Sequence, residues 1–166
     1  MFKPLVIVYS YHHRNTEKIA NAIARVLDAQ TRTPQQTRPE ELQEYDLIGL
    51  GSGIYDEKNY PELLELAEKL PPVASGKAFI FSTSGYAERS AVTGFHAPLR
   101  DKLQARGYTV VGEFNCAGHN TNGFLRWFGG LNKGRPNAED LRRAEEFAQG
   151  LKRKVASAAE HDNEEG

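Results

Sequence analysis

Three short stretches of this chain carry most of the side chains able to do chemistry. The first, Ser10-Tyr11-His12-His13-Arg14-Asn15-Thr16, joins an apolar run, Leu5 to Tyr9, to a segment in which Ile19, Ile23 and Leu27 recur at helical spacing. The hydroxyls of Ser10 and Thr16, the amide of Asn15 and the unpaired N–H groups of a helix start are the donors that a phosphate dianion needs. His12, His13 and Arg14 can bring positive charge to the same place. The second stretch, Gly51-Ser52-Gly53-Ile54-Tyr55-Asp56, and the third, Ser82-Thr83-Ser84-Gly85-Tyr86, each follow another apolar run. Tyr55, with Ile54 as the alternative wall, and Tyr86 are rings suited to stacking on a flat aromatic ligand, a contact favourable by about 0.5–1.5 kcal/mol beyond burial. All three stretches are rich in Ser, Thr, Gly, Asn and Tyr and poor in carboxylates. That composition holds a ligand by hydrogen bonds; it does not supply acid–base catalysis of its own.

The elements that must position these stretches alternate along the chain. Leu5–Tyr9, Asp46–Gly51, Lys77–Ser82 and Tyr108–Phe114 read as buried strands. Helices are expected over about Thr16–Ala29 with Asn15 as N-cap, from Pro61 to the Pro71-Pro72 stop, over roughly Gly94–Arg106 with Phe95, Leu99 and Leu103 inward, and over about Ala138–Val155 with Asn137 as N-cap. Residues 30–40 are the weakest strand, and Pro34 confines them to a sheet edge. A short helical turn is expected at 40–44. The result is a single α/β domain over 1–156, a five-stranded parallel sheet covered by helices on both faces as a three-layer sandwich. Its ligand belongs at the carboxyl ends of the strands, where the three stretches lie.

With 166 residues the chain can bury one sizeable core, and its net charge of −1 is mixed along the sequence, which argues against a nucleic-acid partner. No apolar run is long enough to span a bilayer, and Met1-Phe2-Lys3 leads directly into a strand without a cleavable leader. The single cysteine, Cys116, excludes an internal disulfide and reads as a small apolar filler. His12, His13, His96, His119 and Cys116 show no metal-ligand spacing, so no metal is expected. The simplest address is the cytoplasm. The stretch 157–166 reads as a polar, acidic, flexible tail.

Three motifs in this order, YSYHHRNTEKIA (Tyr9 to Ala20), GSGIYDEKNY (Gly51 to Tyr60) and STSGY (Ser82 to Tyr86), resemble the phosphate loop and the two ring-binding loops of the flavodoxin family, short-chain members in particular. The resemblance covers the chain from Lys3 to about Leu151. It implies strand order 2-1-3-4-5 and noncovalent FMN. Ser10 to Thr16 would surround the phosphate, Ser52, Gly53, Ile54 and Tyr55 would cover one face of the ring, and Ser82 to Tyr86 would read its pyrimidine edge. It further implies that Gly53 permits a peptide to turn toward the flavin on reduction. The family loop has a glycine where this chain has Arg14, which questions whether a glycine-only backbone angle persists there.

The stretch 115–137 is less family-like. It leaves the carboxyl end of the sheet, and His119 is its residue expected at the ligand. Phe124, Leu125, Trp127 and Phe128 are read either as a latch onto the last helix or as a cover or partner surface. The function implied is electron transfer with transient redox partners. The alternative is a flavin-dependent oxidoreductase on the same fold, an NAD(P)H:quinone reductase or a protoporphyrinogen-oxidase-like enzyme. Monomer and weak dimer both stay open. A phospho-receiver domain is disfavoured, because its acidic positions hold Tyr9-Ser10 and Gly51-Ser52.

Overall fold

β1 (Pro4–Tyr9) is apolar without interruption because both of its faces are covered. Leu5 and Ile7 enter one buried cluster, and Val6 and Val8 enter another on the opposite side of the sheet. The same alternation runs through β5 (Gly76–Ser84), where Ala78 and Ile80 face the first cluster and Phe79 and Phe81 the second. The computed structural model describes residues 1–11, 14–85, 89–118 and 134–164, and the side chains of all of these except 89–92.

β1 is flanked by β2 (Gln30–Arg32) and β3 (Leu47–Tyr55), and the parallel sheet continues through β5 to β6 (Tyr108–Ala117), in the order β2-β1-β3-β5-β6. A further short strand, β4 (Lys58–Asn59), pairs antiparallel with the end of β3, Ile54 opposite Asn59 and Tyr55 opposite Lys58. With this hairpin strand set aside, the order is the 2-1-3-4-5 expected. α1 (Asn15–Leu27) and α4 (Ala138–Glu164) pack together on the face holding Val6, Phe79 and Phe81. α2 (Pro61–Glu68) and α3 (Arg89–Ala105) cover the other face.

Several bounds differ from expectation. Pro34 does not sit in the edge strand: β2 stops at Arg32, and Pro34 opens a 3-10 turn whose N-cap Thr33 accepts from the Gln36 N–H. A proline in the first turn of a helical segment loses no hydrogen bond, whereas in a ladder it would. The turn expected at 40–44 is present as Pro39–Glu44. α3 starts at Arg89, before the expected Gly94, and α4 runs past Val155 to Glu164. That extension reads VASAAEHDNE, in which alanines supply helix propensity without needing a partner surface. Gly49 and Gly51 prove to be packing glycines. A Cβ at Gly49 would lie 2.1 Å from Phe79 Cζ and one at Gly51 2.1 Å from Phe81 Cε2, so both phenylalanine rings lie against the bare backbone of β3. No helix among the described residues is long and apolar enough to cross a membrane.

Candidate functional site

The loop between β1 and α1 closes differently from its expected cap. Asn15 is the first helical residue and is buried, so it is not the N-cap. That position belongs to Arg14, which adopts φ 53°, ψ 28° and gives no side-chain cap. The left-handed angle that glycine would take freely is therefore kept by an arginine. Its exposed side chain is ion-paired with Glu17 at 3.5 Å. Left-handed backbone costs a residue with a Cβ about 1–2 kcal/mol. Arg14→Gly relieves that strain and returns part of the gain as unfolded-chain entropy. The net expectation is stabilisation of the ligand-free protein by about 0.5 kcal/mol, read as a higher urea midpoint at unchanged m-value.

Ser10 Oγ is buried here without a hydrogen-bond partner. Buried hydroxyls are nearly always satisfied, so an orphan beside a helix start without a side-chain cap marks a place for an acceptor. Tyr11, by contrast, is exposed. Thr16 is buried, and its Oγ1 lies 2.8 Å from Thr83 Oγ1, which joins the first loop to the third. Gly118, after β6, completes the convergence. Its N–H donates to the Ser84 carbonyl (3.0 Å), and a Cβ there would come within 2.9 Å of Asn15 Nδ2 and 3.2 Å of Thr83 Cβ.

The second loop is a hairpin, not a free turn. Asp56 and Glu57, at its tip, have φ of 50° and 59°. Two left-handed central residues are the signature of a type I′ hairpin, whose twist matches the flanking strands. Ser52, fully buried, is the knot beneath it: its hydroxyl accepts from Asn59 Nδ2 (3.1 Å) and from the Tyr60 N–H (3.1 Å), and donates to the Gly53 carbonyl (2.7 Å). Gly53 lies in β3 opposite Thr83, with φ outside the left-handed region. Ile54 is half-buried. Tyr55 is 58% exposed, and its ring is stacked on Tyr60 with centroids 5.4 Å apart at 29°. Tyr60 in turn leans on Tyr9 at 5.1 Å. Burial pushes the Tyr60 phenol up, with further push from Tyr9 and Glu62.

In the third loop Ser82, Thr83 and Ser84 are buried at the end of β5, and Gly85 is half-buried. Ser82 and Ser84 face α3, while Thr83 faces α1. The structure thus brings Ser10, Asn15, Thr16, Ser52, Gly53, Ile54, Tyr55, Ser82, Thr83, Ser84 and Gly85 to the carboxyl end of the sheet. His12, His13, Tyr86 and His119 lie outside the described residues, as does the aromatic stretch 124–128.

Cys116 is buried, and burial pushes its thiol up to about 12, with Asp140 adding to the push. A thiol held that high is not a nucleophile at neutral pH. Among the described residues no group of three or more His, Cys, Asp or Glu could hold a metal ion. Sequence reasoning missed Tyr60 and Asn59, although both stand in the quoted second motif. It also missed His96. The helical stripe with Leu99 and Leu103 contains His96, fully buried, rather than the half-buried Phe95. A histidine at i, i+3 and i+7 with two leucines was the available signal.

A doubly wound sheet with a hydroxyl- and amide-rich end, a helix start lacking a side-chain cap and an aromatic hairpin beside it defines a ligand-binding α/β protein of the kind that seats its ligand at the strand ends. The chain belongs to the flavodoxin domain family, which it matches over residues 6–127. An uncharacterised protein of Methanocaldococcus jannaschii is 43% identical over 149 residues, 90% of this chain and 97% of that one. Among solved structures, oxidised flavodoxin 2 from Bacillus cereus matches with a TM-score of 0.67 at 22% identity, covering 92% of this chain and 99% of the other. A Fusobacterium nucleatum flavodoxin bound to flavin mononucleotide matches at TM-score 0.64 and 14% identity, over 92% and 99% respectively. These structures share the fold.

Proposed function

We propose that this chain binds FMN noncovalently and carries electrons between transient redox partners. The observation that carries the reading is the buried, unpartnered Ser10 Oγ next to a helix start without a side-chain cap, bridged by Thr16 to the third loop. Ser10, Asn15, Thr16 and the N–H groups of the first turn would hold the phosphate, with Tyr11, His12, His13 and Arg14 around it. Ser52, Gly53, Ile54 and Tyr55 would cover one face of the ring. Ser82, Thr83, Ser84, Gly85 and Tyr86 would meet its pyrimidine edge, and His119 would face the ligand from the stretch after β6. Bound FMN would supply the redox chemistry, and the chain's part is to seat, orient and tune it. Tyr55 is already stacked, on Tyr60, so binding extends an existing ladder by one ring.

Titration of the ligand-free protein with FMN, followed by quenching of flavin fluorescence, is expected to give a Kd at or below about 1 μM. A chain that leaves flavin fluorescence unchanged overturns the reading. Steady-state assays of the FMN-loaded protein with NAD(P)H and quinones are expected to show almost no turnover. Sustained turnover would move the protein to the flavin-dependent oxidoreductases of this fold. The carrier reading is favoured because the described groups at the strand ends are hydrogen-bond donors and acceptors, with the one thiol inert.

A further inference from the structure

β3 alternates between its two buried faces, and a serine interrupts one of them. Ile48 and Leu50 enter the cluster under α2 and α3. Ser52 is the next residue on that face, fully buried, with Tyr9 of β1 and Ser82 of β5 as its neighbours in register. A hydroxyl in an apolar seat must find its partners nearby. Ser52 finds all of them in the hairpin that follows. Its Oγ accepts from Asn59 Nδ2 (3.1 Å) and from the Tyr60 N–H (3.1 Å), and donates its hydrogen to the Gly53 carbonyl (2.7 Å). One hydrogen and two lone pairs are all that a hydroxyl has, and all three are engaged. None is left for a ligand, so this side chain acts on one only through the residues it holds.

The hairpin needs such a hold. β4 has two residues, and its ladder with β3 is only Ile54 opposite Asn59 and Tyr55 opposite Lys58. A two-stranded hairpin of that length is not stable by itself in water. Its tip residues, Asp56 and Glu57, both take left-handed angles without being glycine, which disfavours the turn further. Asn59 is fully buried with its Oδ1 unpartnered, and among the described residues its side chain bonds to Ser52 alone. Tyr60 is the N-cap of α2 and gives no side-chain cap bond. Its ring packs on the bare backbone of Gly53, where a Cβ would lie 3.4 Å from Tyr60 Cε2. The bond from its N–H to Ser52 therefore fixes where that ring stands, 5.1 Å from Tyr9 and 5.4 Å from Tyr55 between centroids. Tyr55, mostly exposed, ends the ladder.

We propose that Ser52 is a positioning residue: by holding Gly53, Asn59 and Tyr60 at one hydroxyl, it sets the Tyr55 and Tyr60 rings in place before any ligand arrives, as a ready wall for a flat aromatic ring. The setting of the two rings rests on bonds within this chain alone; its role in binding rests on the FMN reading. A wall fixed in advance spares the ligand the ordering of a loop and two side chains, which raises affinity without a new contact. The gain belongs to the ring part of the ligand. The phosphate seat proposed at Ser10, Asn15 and Thr16 stands on another loop, and none of the three bonds of the Ser52 hydroxyl reaches it. Ring and phosphate are thus held by separate devices, and a change at Ser52 acts on riboflavin and FMN alike.

NMR and flavin titrations on the full chain test this. In the ligand-free wild type, NOEs between the Tyr55 and Tyr60 rings are expected, and Ser52→Ala should lose them. Ring NOEs retained in that variant overturn the positioning. In titrations followed by flavin fluorescence, Ser52→Ala should weaken riboflavin and FMN by the same factor, about tenfold, the scale of one aromatic stacking contact. In a Tyr55→Ala background the same substitution should change either Kd by less than about twofold, because the ring through which it acts is gone. A merely structural serine would show no such dependence on Tyr55. Unchanged affinity in Ser52→Ala, a loss confined to FMN, or a loss undiminished in the Tyr55→Ala background each overturn the proposal. If Ser52→Ala fails to fold, Ser52→Cys, which keeps the side chain's shape and bonds only weakly, replaces it in every arm with the same outcomes. Wild-type protein that binds neither flavin overturns the cofactor reading, and the ring NOEs then still decide whether Ser52 sets the pair.

Discussion

Arg135→Ala is expected to destabilise the protein by about 3 kcal/mol at pH 7, the low end for stripping one partner from a buried ion pair. Asp140, in the first turn of α4, is 1% exposed. Arg135 meets it with two guanidinium nitrogens, Nε on Oδ2 and Nη2 on Oδ1, the latter at 2.6 Å. The Asn137 N–H donates to Oδ2 (2.9 Å), and the Asp140 N–H donates back to Asn137 Oδ1 (3.0 Å), so the pair also caps the helix, with Asn137 at the expected N-cap. The low end applies because Arg143 stands 4.0 Å from Oδ1 and retains part of the compensation. Burial pushes the Asp140 carboxyl up, but the Arg135 hydrogen bond, the Asn137 N–H and the two guanidinium charges together hold it below its ordinary 3.8.

The sign of the pH dependence follows. A depressed carboxyl stabilises the fold above its unfolded value and loses that contribution as pH falls through the folded one. The stabilities of wild type and Arg135→Ala should therefore draw together as pH falls and converge only below the depressed folded value, itself under the ordinary 3.8, where a protonated Asp140 no longer needs a cation. Urea melts at pH 7 and at the lowest pH where both proteins still fold, about pH 3, check this, with Asp140→Asn completing a double-mutant cycle. A loss under about 0.5 kcal/mol at pH 7 would show the pair to be an ordinary surface bridge.

The clamp fixes the chain where residues 134–137 enter α4, near enough to Cys116 at the end of β6 for the Arg135 and Asp140 charges to act on its thiol. Such an anchor was only half legible in the sequence. Asn137 as a cap followed from its place before a periodic apolar stripe, but nothing local tells which arginine will meet Asp140. The same division holds elsewhere. The core was legible because full burial of a parallel sheet writes apolar runs such as LVIVY and AFIF. The hairpin at Asp56-Glu57 was not, because both residues take left-handed angles that Asn-Gly would normally announce. Arg14 hid its angle in the same way. His96 was the largest miss. A polar residue on an apolar stripe is visible in sequence, but its partners, Ser82 and Glu113, come from two strands brought beside it only by the fold.

Ser10→Asp should move stability and FMN affinity in opposite directions, which ordinary damage to a loop does not do. In the ligand-free protein, a carboxylate at residue 10 would stand before the start of α1, where Arg14 supplies no side-chain cap. A negative charge at such a helix end is favourable by about 0.3–1 kcal/mol, so the melting temperature of the ligand-free variant should rise or hold. In the presence of FMN the same carboxylate occupies the position proposed for the phosphate. It removes a donor from the dianion and adds repulsion, each worth roughly 2 kcal/mol, so FMN affinity should fall on the order of a thousandfold. Riboflavin, which has the ring without the phosphate, should lose far less, because the hairpin and the third loop are untouched. Fluorescence titrations of wild type and variant with both flavins, beside thermal melts without ligand, separate the outcomes. Equal losses for FMN and riboflavin would place the phosphate away from Ser10, and a strongly destabilised ligand-free variant would mean that the buried hydroxyl is a packing group and not part of an anion seat.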